Sequence, residues 1–288
     1  MIIVTGATGQ LGRAIVDALL QQVPPGEIGV SVRDPGKAAD IAARGVRVRR
    51  GDFSEPESLA DAFDGAEQVV MISSNARSVG GDTIAQHAAA IAAAGRAGVR
   101  RIVYTSHMGA RSDSAFPPAR DHATTEELLR ASGIAWTALR NGFYSASALR
   151  LLGDVRDTGV VVAPADGKVS WTAHADLAHA AAAITVDTSR ASGPSAPLTA
   201  NAALDLADLA EIASTVLGRA VRRTVQADDD MLSGMSARGV PPAIREIALG
   251  MFLASRAGDF AMVDPELERL LGRRSMTVRD MLAAEYRT

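Results

Sequence analysis

The chain has no cysteine among its 288 residues. That excludes disulfides and thiolate catalysis and is compatible with a reducing compartment. Aromatics make up only 4%, and the three tyrosines are Tyr104, Tyr144 and Tyr286. A phenolic acid catalyst therefore has few places to sit. Neither sign of charge dominates: the net charge is −3, so nothing in the balance points to nucleic acid or an anionic membrane. The densest basic run, VRVRR, is interleaved with a strand pattern and lacks aromatic neighbours, which makes it a poor nucleic-acid footprint. No apolar run suits a membrane span, because IAQHAAAIAAAGRAG is short and carries Gln86, His87 and Arg96. No charged segment precedes the first strand-like run, so no signal peptide is read. The five histidines, His87, His107, His122, His174 and His179, form no HExxH or similar set, and no metal site is expected. A GxSxG elbow and a P-loop are also missing.

What is present is 47% hydrophobic residues, enough for a large core, laid out in a regular rhythm. IIVT, EIGVSV, VRVR, EQVVMIS, RRIVYTS and IAWTALR read as strands. Between them lie helical patterns, at Gln10–Gln22 with Leu11, Ile15, Ala18 and Leu19 on one face, at Pro35–Ala43, and in the Ala-rich stretch ending near Gly98. Ser54-Glu55-Pro56-Glu57 reads as a capping box for the helix after the third strand. A loop holding Pro117 and Pro118 leads to a further helix ending near Gly133. This alternation implies a parallel sheet with right-handed crossovers. VVVAPADGKVSW reads as two short strands around Asp166-Gly167, followed by a helix from about His174 to Asp187. From Asp205 the chain is mostly helical apart from AVRRTVQA, which implies a smaller lobe packed over one edge of the sheet that would close the cleft at the carboxyl ends of the strands.

The glycine run Gly6-Ala7-Thr8-Gly9-Gln10-Leu11-Gly12 lies between the first strand and the first helix. Gly6 permits a tight turn, Gly9 lets backbone approach a pyrophosphate, and Gly12 lets the helix pack close to the sheet. The helix N-terminus then offers free N–H groups and a positive dipole end. In this context the run reads as a dinucleotide site. At the end of the second strand, where an NAD site places a carboxylate, stand Arg33 and, one turn on, Lys37. These cations suit the 2′-phosphate of NADP. Asp34 keeps the ribose of NAD as the alternative. Asp52, with Phe53 beside it, is expected to face the adenine amino group, since Ser54 is spent on the helix cap. Ser73 and Ser74 let backbone pass near the ribose and pyrophosphate.

VTGATGQLG, VRDP, GDF, ISS, VYTS and LRNGFY, in this order, resemble the NmrA-like group of atypical short-chain dehydrogenases/reductases, and within it the bacterial type 2 NADPH:quinone oxidoreductases. The resemblance spans essentially the whole chain, including TVRDML. It implies an α/β fold, a Rossmann-type doubly wound parallel sheet with a smaller, mostly helical C-terminal lobe. The NADP-binding Rossmann domain is drawn at 1–145, with the remaining sheet elements and a substrate-side lobe at 146–288. The resemblance also implies NADP(H) along the glycine loop and, at its nicotinamide half, Thr105, Ser106, Asn141, Gly142 and Phe143.

Most short-chain dehydrogenases use a Tyr-x-x-x-Lys pair. No tyrosine here has a lysine four residues on. The expected helix reads RDHATTEELL, with His122 and Glu126 four apart on one face, and these are the candidate catalytic residues with Tyr144, which could wall a flat acceptor beside Phe143. His107 is a weaker proton-donor candidate. Reducing a ketone leaves a localised alkoxide that needs a well-placed acid, whereas reducing a quinone leaves a delocalised anion that needs less help. The expectation is therefore NADPH-dependent hydride transfer to a quinone or similar conjugated acceptor, without flavin or metal. The alternatives are an NADP(H) redox sensor without catalysis, or a reductase of azo or triphenylmethane dyes. The expected setting is cytoplasmic. The partner is a small-molecule acceptor rather than nucleic acid or membrane, and a homodimer is left open.

Overall fold

The structure is a computed structural model that describes residues 1–190 and 192–286. Strands and helices alternate through β1 (Ile2–Thr5), α1 (Gln10–Leu19), β2 (Ile28–Val32), α2 (Ala39–Ala42), β3 (Arg47–Arg50), α3 (Ser58–Phe63) and β4 (Gln68–Met71). They continue through α4 (Thr83–Arg96), β5 (Arg101–His107), α5 (Pro117–Ala131) and β6 (Ala135–Asn141). Next come β7 (Phe143–Tyr144), α6 (Ser145–Leu152), α7 (Val155–Thr158), β8 (Val160–Pro164), β9 (Trp171–Thr172), α8 (His174–Val186) and β10 (Gly193–Pro194). The C-terminal region holds α9 (Leu206–Leu217), β11 (Arg222–Gln226), α10 (Asp228–Ala237), α11 (Pro242–Arg256), α12 (Glu266–Leu271) and α13 (Val278–Glu285).

The seven-stranded sheet runs in the order β10-β6-β5-β4-β1-β2-β3. β1 pairs in parallel with β2 and with β4, placing Ile2 beside Ile28 on one side and Gln68 on the other. The order reverses between β1 and β4, the switch point at which open α/β sheets hold ligands beyond their strand ends. β1 and β2 are buried along their whole length. Their sequences are accordingly apolar runs rather than alternating ones, as a strand covered on both faces requires.

The chain divides into two compact units. The first comprises 1–106, 121–140 and 177–196, and the second comprises 107–120, 141–176 and 197–288. The sequence reading drew one boundary, at 145. Long-range strand pairing sets the observed division: β10 is a strand of the first unit's sheet, parallel to β6. In the first unit Ile3, Phe63, Val69, Met71, Ile102 and Leu129 form a shared apolar core. In the second, Phe116, Phe143, Trp171, Leu209, Phe252 and Phe260 anchor another. There β8 pairs with β11 and β7 with β9. The two strands expected around Asp166-Gly167 therefore exist but do not pair with each other. Helices α9 and α13 open with capping boxes on Asp205 and Thr277.

Two local expectations need correction. Pro117 and Pro118 are the first residues of α5 rather than part of a loop, because a proline lacks only an N–H that the first turn would leave unpaired. Ser54 does not cap α3. That helix begins at Ser58 with no side-chain cap, since the Asp52–Glu55 and Glu55–Ser58 turns take up the intervening backbone.

Phe63 is fully buried in the first core. Phe63→Ala is expected to cost about 3–5 kcal/mol, read as a lower urea midpoint by far-UV circular dichroism. A loss below about 1 kcal/mol would contradict this packing.

Candidate functional site

β1 ends at Thr5, and Gly6 turns the chain with φ +60, in the left-handed region that glycine enters freely. The Gly9 N–H donates to the Gly6 carbonyl (2.9 Å), closing the loop. A Cβ at Gly12 would collide with that same carbonyl oxygen, whereas a Cβ at Gly9 would lie 3.3 Å from it. Gly12 is thus required by the loop itself, while Gly9 keeps its surface clear. Gly9 is also the N-cap of α1. It supplies no side-chain acceptor, and the first turn carries no acidic residue. The exposed N–H groups and dipole end of this ten-residue helix therefore face outward without internal compensation, the arrangement that binds a phosphate.

A cavity of about 560 Å³ opens beside this turn. Gly6, Thr8, Gly9, Arg33, Asp52, Phe53, Ser73 and Ser74 line it, all of them expected cofactor contacts. Arg33 is exposed and lines the cavity. Asp34 does not line it; its carboxylate instead accepts from the Gly36 N–H (3.0 Å) and caps the turn at 35–38. Lys37 is exposed and outside the cavity lining. Ala7, Leu11 and Gly12 are buried, and Gln10 is the exposed first residue of α1.

Asp52 is less free than the sequence suggested. Its Oδ1 accepts from the Ser54 N–H (2.9 Å) and hydroxyl (2.7 Å). Burial pushes the Asp52 carboxyl up, but these bonds and the nearby positive charge of Arg33 outweigh it and hold the group below its ordinary value. It stays ionised at the cavity wall.

Thr105 and Ser106 are buried and support the site from behind. Thr5 Oγ1 accepts from the Ile72 N–H (2.9 Å), and Thr105 Oγ1 accepts from the Ser73 N–H (2.9 Å). Ser106 donates to Glu126 Oε1 (2.7 Å), and Arg140 grips both oxygens of the same carboxylate at 3.2 and 2.7 Å. His122 Nδ1 meets the Tyr104 hydroxyl at 2.7 Å. The two candidate catalytic residues on α5 therefore have partners of their own: Glu126 is held at the ends of β5 and β6, and His122 at a buried phenol.

Asn141, Gly142, Phe143 and Tyr144 belong to the second unit. A Cβ at Gly142 would collide with the Thr172 hydroxyl. Asn141 is buried, and its Oδ1 has no hydrogen-bond partner among the described residues, so an acceptor stands ready for an amide or hydroxyl donor. Phe143 packs in an aromatic cluster with Phe116, Trp171 and Phe260. The Tyr144 ring lies against His174 with centroids 4.4 Å apart. Burial raises its phenol above the ordinary value, and a bond with Asn141 opposes that shift. His107 lies within the same Phe116, Phe143 and Phe260 cluster. Burial lowers its pKa to about 4, so it is a neutral ring at ordinary pH and a poor proton donor.

The sequence reading missed several cavity residues. Ser31, Gly51, Gln86 and, from the turn after β4, Asn75, Ala76, Val79, Gly80 and Gly81 contribute to the lining. Ser31 precedes Arg33 by two and so shares its strand face. The Gly80-Gly81 pair was the visible sign of a special turn. Among the described residues no group of three or more metal-ligating side chains is placed to hold an ion. No helix there is long and apolar enough to cross a membrane.

A sequence model of the NAD(P)H-binding family matches residues 6–188. The chain belongs to this family. It is 33% identical over 284 residues to quinone oxidoreductase 2 of Escherichia coli (strain K12), covering 98% of each chain. The crystal structure of the NADPH-dependent quinone oxidoreductase QOR2 of Escherichia coli, complexed with NADPH, superposes with a TM-score of 0.92 at 32% identity, over 99% of this chain and 100% of that one. The triphenylmethane reductase of Citrobacter sp., complexed with NADP(H), gives 0.88 at 31% identity, over 99% of both chains. The expected kinship and Rossmann-type fold are borne out by these likenesses.

Gly9→Val is expected to leave the fold intact, because the position has φ −86 and its Cβ would press on the Gly6 carbonyl at 3.3 Å, a contact that a shift of a few tenths of an ångström relieves, but to abolish measurable NADPH binding by calorimetry. An unchanged circular dichroism spectrum with native NADPH affinity would separate the glycine turn from the cofactor.

Proposed function

We propose that the chain is an NADPH-dependent reductase that delivers hydride to a quinone or a similarly conjugated small molecule. The observation that carries the cofactor half is Arg33 in the lining of a cavity whose other wall is the bare N-terminus of α1. A helix terminus suits the pyrophosphate, and a guanidinium suits the extra 2′-phosphate through charge-assisted bonds. Asp34, the one carboxylate that argued for NAD, is turned to its own backbone instead.

When bound, NADPH supplies the hydride, and the chain's residues bind, orient and protonate around it. The α1 terminus and Arg33 hold the phosphates. In the second unit, Asn141 keeps a buried Oδ1 with no hydrogen-bond partner among the described residues, the kind of acceptor that a carboxamide N–H takes up. His122, oriented through Nδ1 by the Tyr104 hydroxyl, assists protonation. Glu126 is paired with Arg140 and accepts from Ser106, and its part is to fix α5 against β5 and β6.

This set lacks the Tyr-x-x-x-Lys pair that a localised alkoxide demands. It suits an acceptor whose reduced form spreads its negative charge. The relatives named for quinone and triphenylmethane reduction support that class of acceptor, with the quinone as first choice. A cysteine-free chain that draws on NADPH suits the cytoplasm. The acting species is the monomer or a homodimer.

Purified protein is expected to oxidise NADPH with quinones across a panel and to leave simple ketones and alcohols untouched. His122→Ala should lower kcat by less than the roughly 10²–10⁴-fold typical of a full general acid. NADPH binding with no oxidation by any quinone or dye would replace this reading with that of a sensor. Ketone reduction abolished by His122→Ala would make His122 a complete substitute for the missing tyrosine.

A further inference from the structure

His87 lies on α4 and is 0% exposed. It is not part of the cavity lining, yet it meets the cavity loop from beneath. The Ser74 N–H donates to His87 Nε2 (2.8 Å). On the other side of the ring, Nδ1 is 2.8 Å from Thr125 Oγ1, and that hydroxyl spends its own proton on the Asp121 carbonyl (2.8 Å). Thr125 can therefore only accept from His87. The imidazole is neutral, with its proton on Nδ1 and its lone pair at Nε2. Burial agrees with this state by lowering the ring's pKa to about 4.

Ser74 is held from α4 at a second point, because its hydroxyl donates to Gln86 Oε1. That hydroxyl in turn accepts from the Ala76 N–H (3.1 Å). Three successive backbone N–H groups thus leave the end of β4 for acceptors on three different elements: Ile72 to Thr5, Ser73 to Thr105 and Ser74 to His87. A trans peptide points its carbonyl away from its N–H. Fixing the Ser74 N–H on His87 therefore directs the Ser73 carbonyl away from α4, and Ser73 and Ser74 both line the cavity. The His87 ring also makes a T-shaped contact with Tyr104, centroids 5.4 Å apart, which packs one edge of the imidazole.

We propose that His87 is a positioning residue for the cofactor: it locks the Ser73–Ser74 peptide in the one orientation that presents an acceptor to the bound dinucleotide. The proposal rests on the reading of this cavity as the NADPH site. Thr125 belongs to the same device, since it sets the tautomer that makes Nε2 an acceptor. Without that acceptor the part-buried Ser74 N–H loses its partner, and the peptide is held only through the Ser73 N–H and the Ser74 hydroxyl, which fix its orientation less tightly.

The test compares His87→Phe, which keeps a ring but no acceptor, with His87→Gln, whose amide oxygen reaches a position near Nε2. NADPH affinity is measured by calorimetry, and KM and kcat with a quinone are measured beside it. His87→Phe is expected to raise the NADPH Kd and KM by about tenfold or more, the size expected when a buried donor loses its acceptor, with kcat nearly unchanged at saturating NADPH. His87→Gln should bring Kd back to within about threefold of the wild type. A purely structural histidine would instead lower Tm in both variants and leave the Kd of the folded fraction native, and that result overturns the proposal. So does a His87→Gln variant as weak as His87→Phe. If His87→Phe does not fold, Thr125→Val, which strips the ring of its proton acceptor, takes its place: a raised Kd supports the proposal and a native Kd overturns it. Wild-type protein that binds no NADPH would instead refute the cavity reading itself.

Discussion

The structure depends first on the turn that joins β1 to α1. Gly6 adopts a left-handed backbone, Gly9 closes onto its carbonyl, and Gly12 passes beneath that carbonyl with no room for a methyl group. The contacts of Gly9 and Gly12 fall on the same oxygen atom, the Gly6 carbonyl. Together they leave α1 starting with unpaired N–H groups and no acidic side chain near them. Such a terminus is an electrostatic deficit that an anion fills. The placement of Arg33, the turning away of Asp34 and the pinning of Ser73 and Ser74 all shape the space around that deficit.

Much of this was legible in the residues because it is local. Apolar runs of the right length mark β1, β2, β4 and β5, and helical spacing marks α1. The glycine spacing between a strand and a helix marks the candidate phosphate site. What could not be read depends on contacts distant in sequence. Glu126 is four residues from His122 on one helix, but its carboxylate belongs to Arg140 and Ser106 on neighbouring strands. The tie between His87 and Ser74 spans two elements and has no sequence pattern. Other misreadings were competitions between neighbouring groups. Ser54 could cap a helix or serve Asp52, and the turn before Ser58 decided for Asp52. Pro117 and Pro118 could break a chain or begin a helix, and they begin one.

The chemistry follows from what the α5 helix lacks. A lysine next to a tyrosine would sustain a strong acid at a single oxygen. Here a histidine leans on a buried phenol and a glutamate is neutralised by an arginine. That set aligns and steadies more than it protonates. It pairs naturally with an acceptor whose reduced form is already stabilised by delocalisation, leaving binding geometry as the protein's main contribution to rate.

Arg33 in the cavity lining is the group whose charge distinguishes NADPH from NADH. The most direct measurement is a calorimetric comparison of NADPH and NADH on the wild type and on Arg33→Ala. The wild type is expected to prefer NADPH, and the substitution to remove about 1.5–3 kcal/mol from NADPH binding alone, the size of a lost charge-assisted bond, leaving NADH nearly unaffected. Equal loss for the two cofactors, or a wild type that binds them equally, would contradict it.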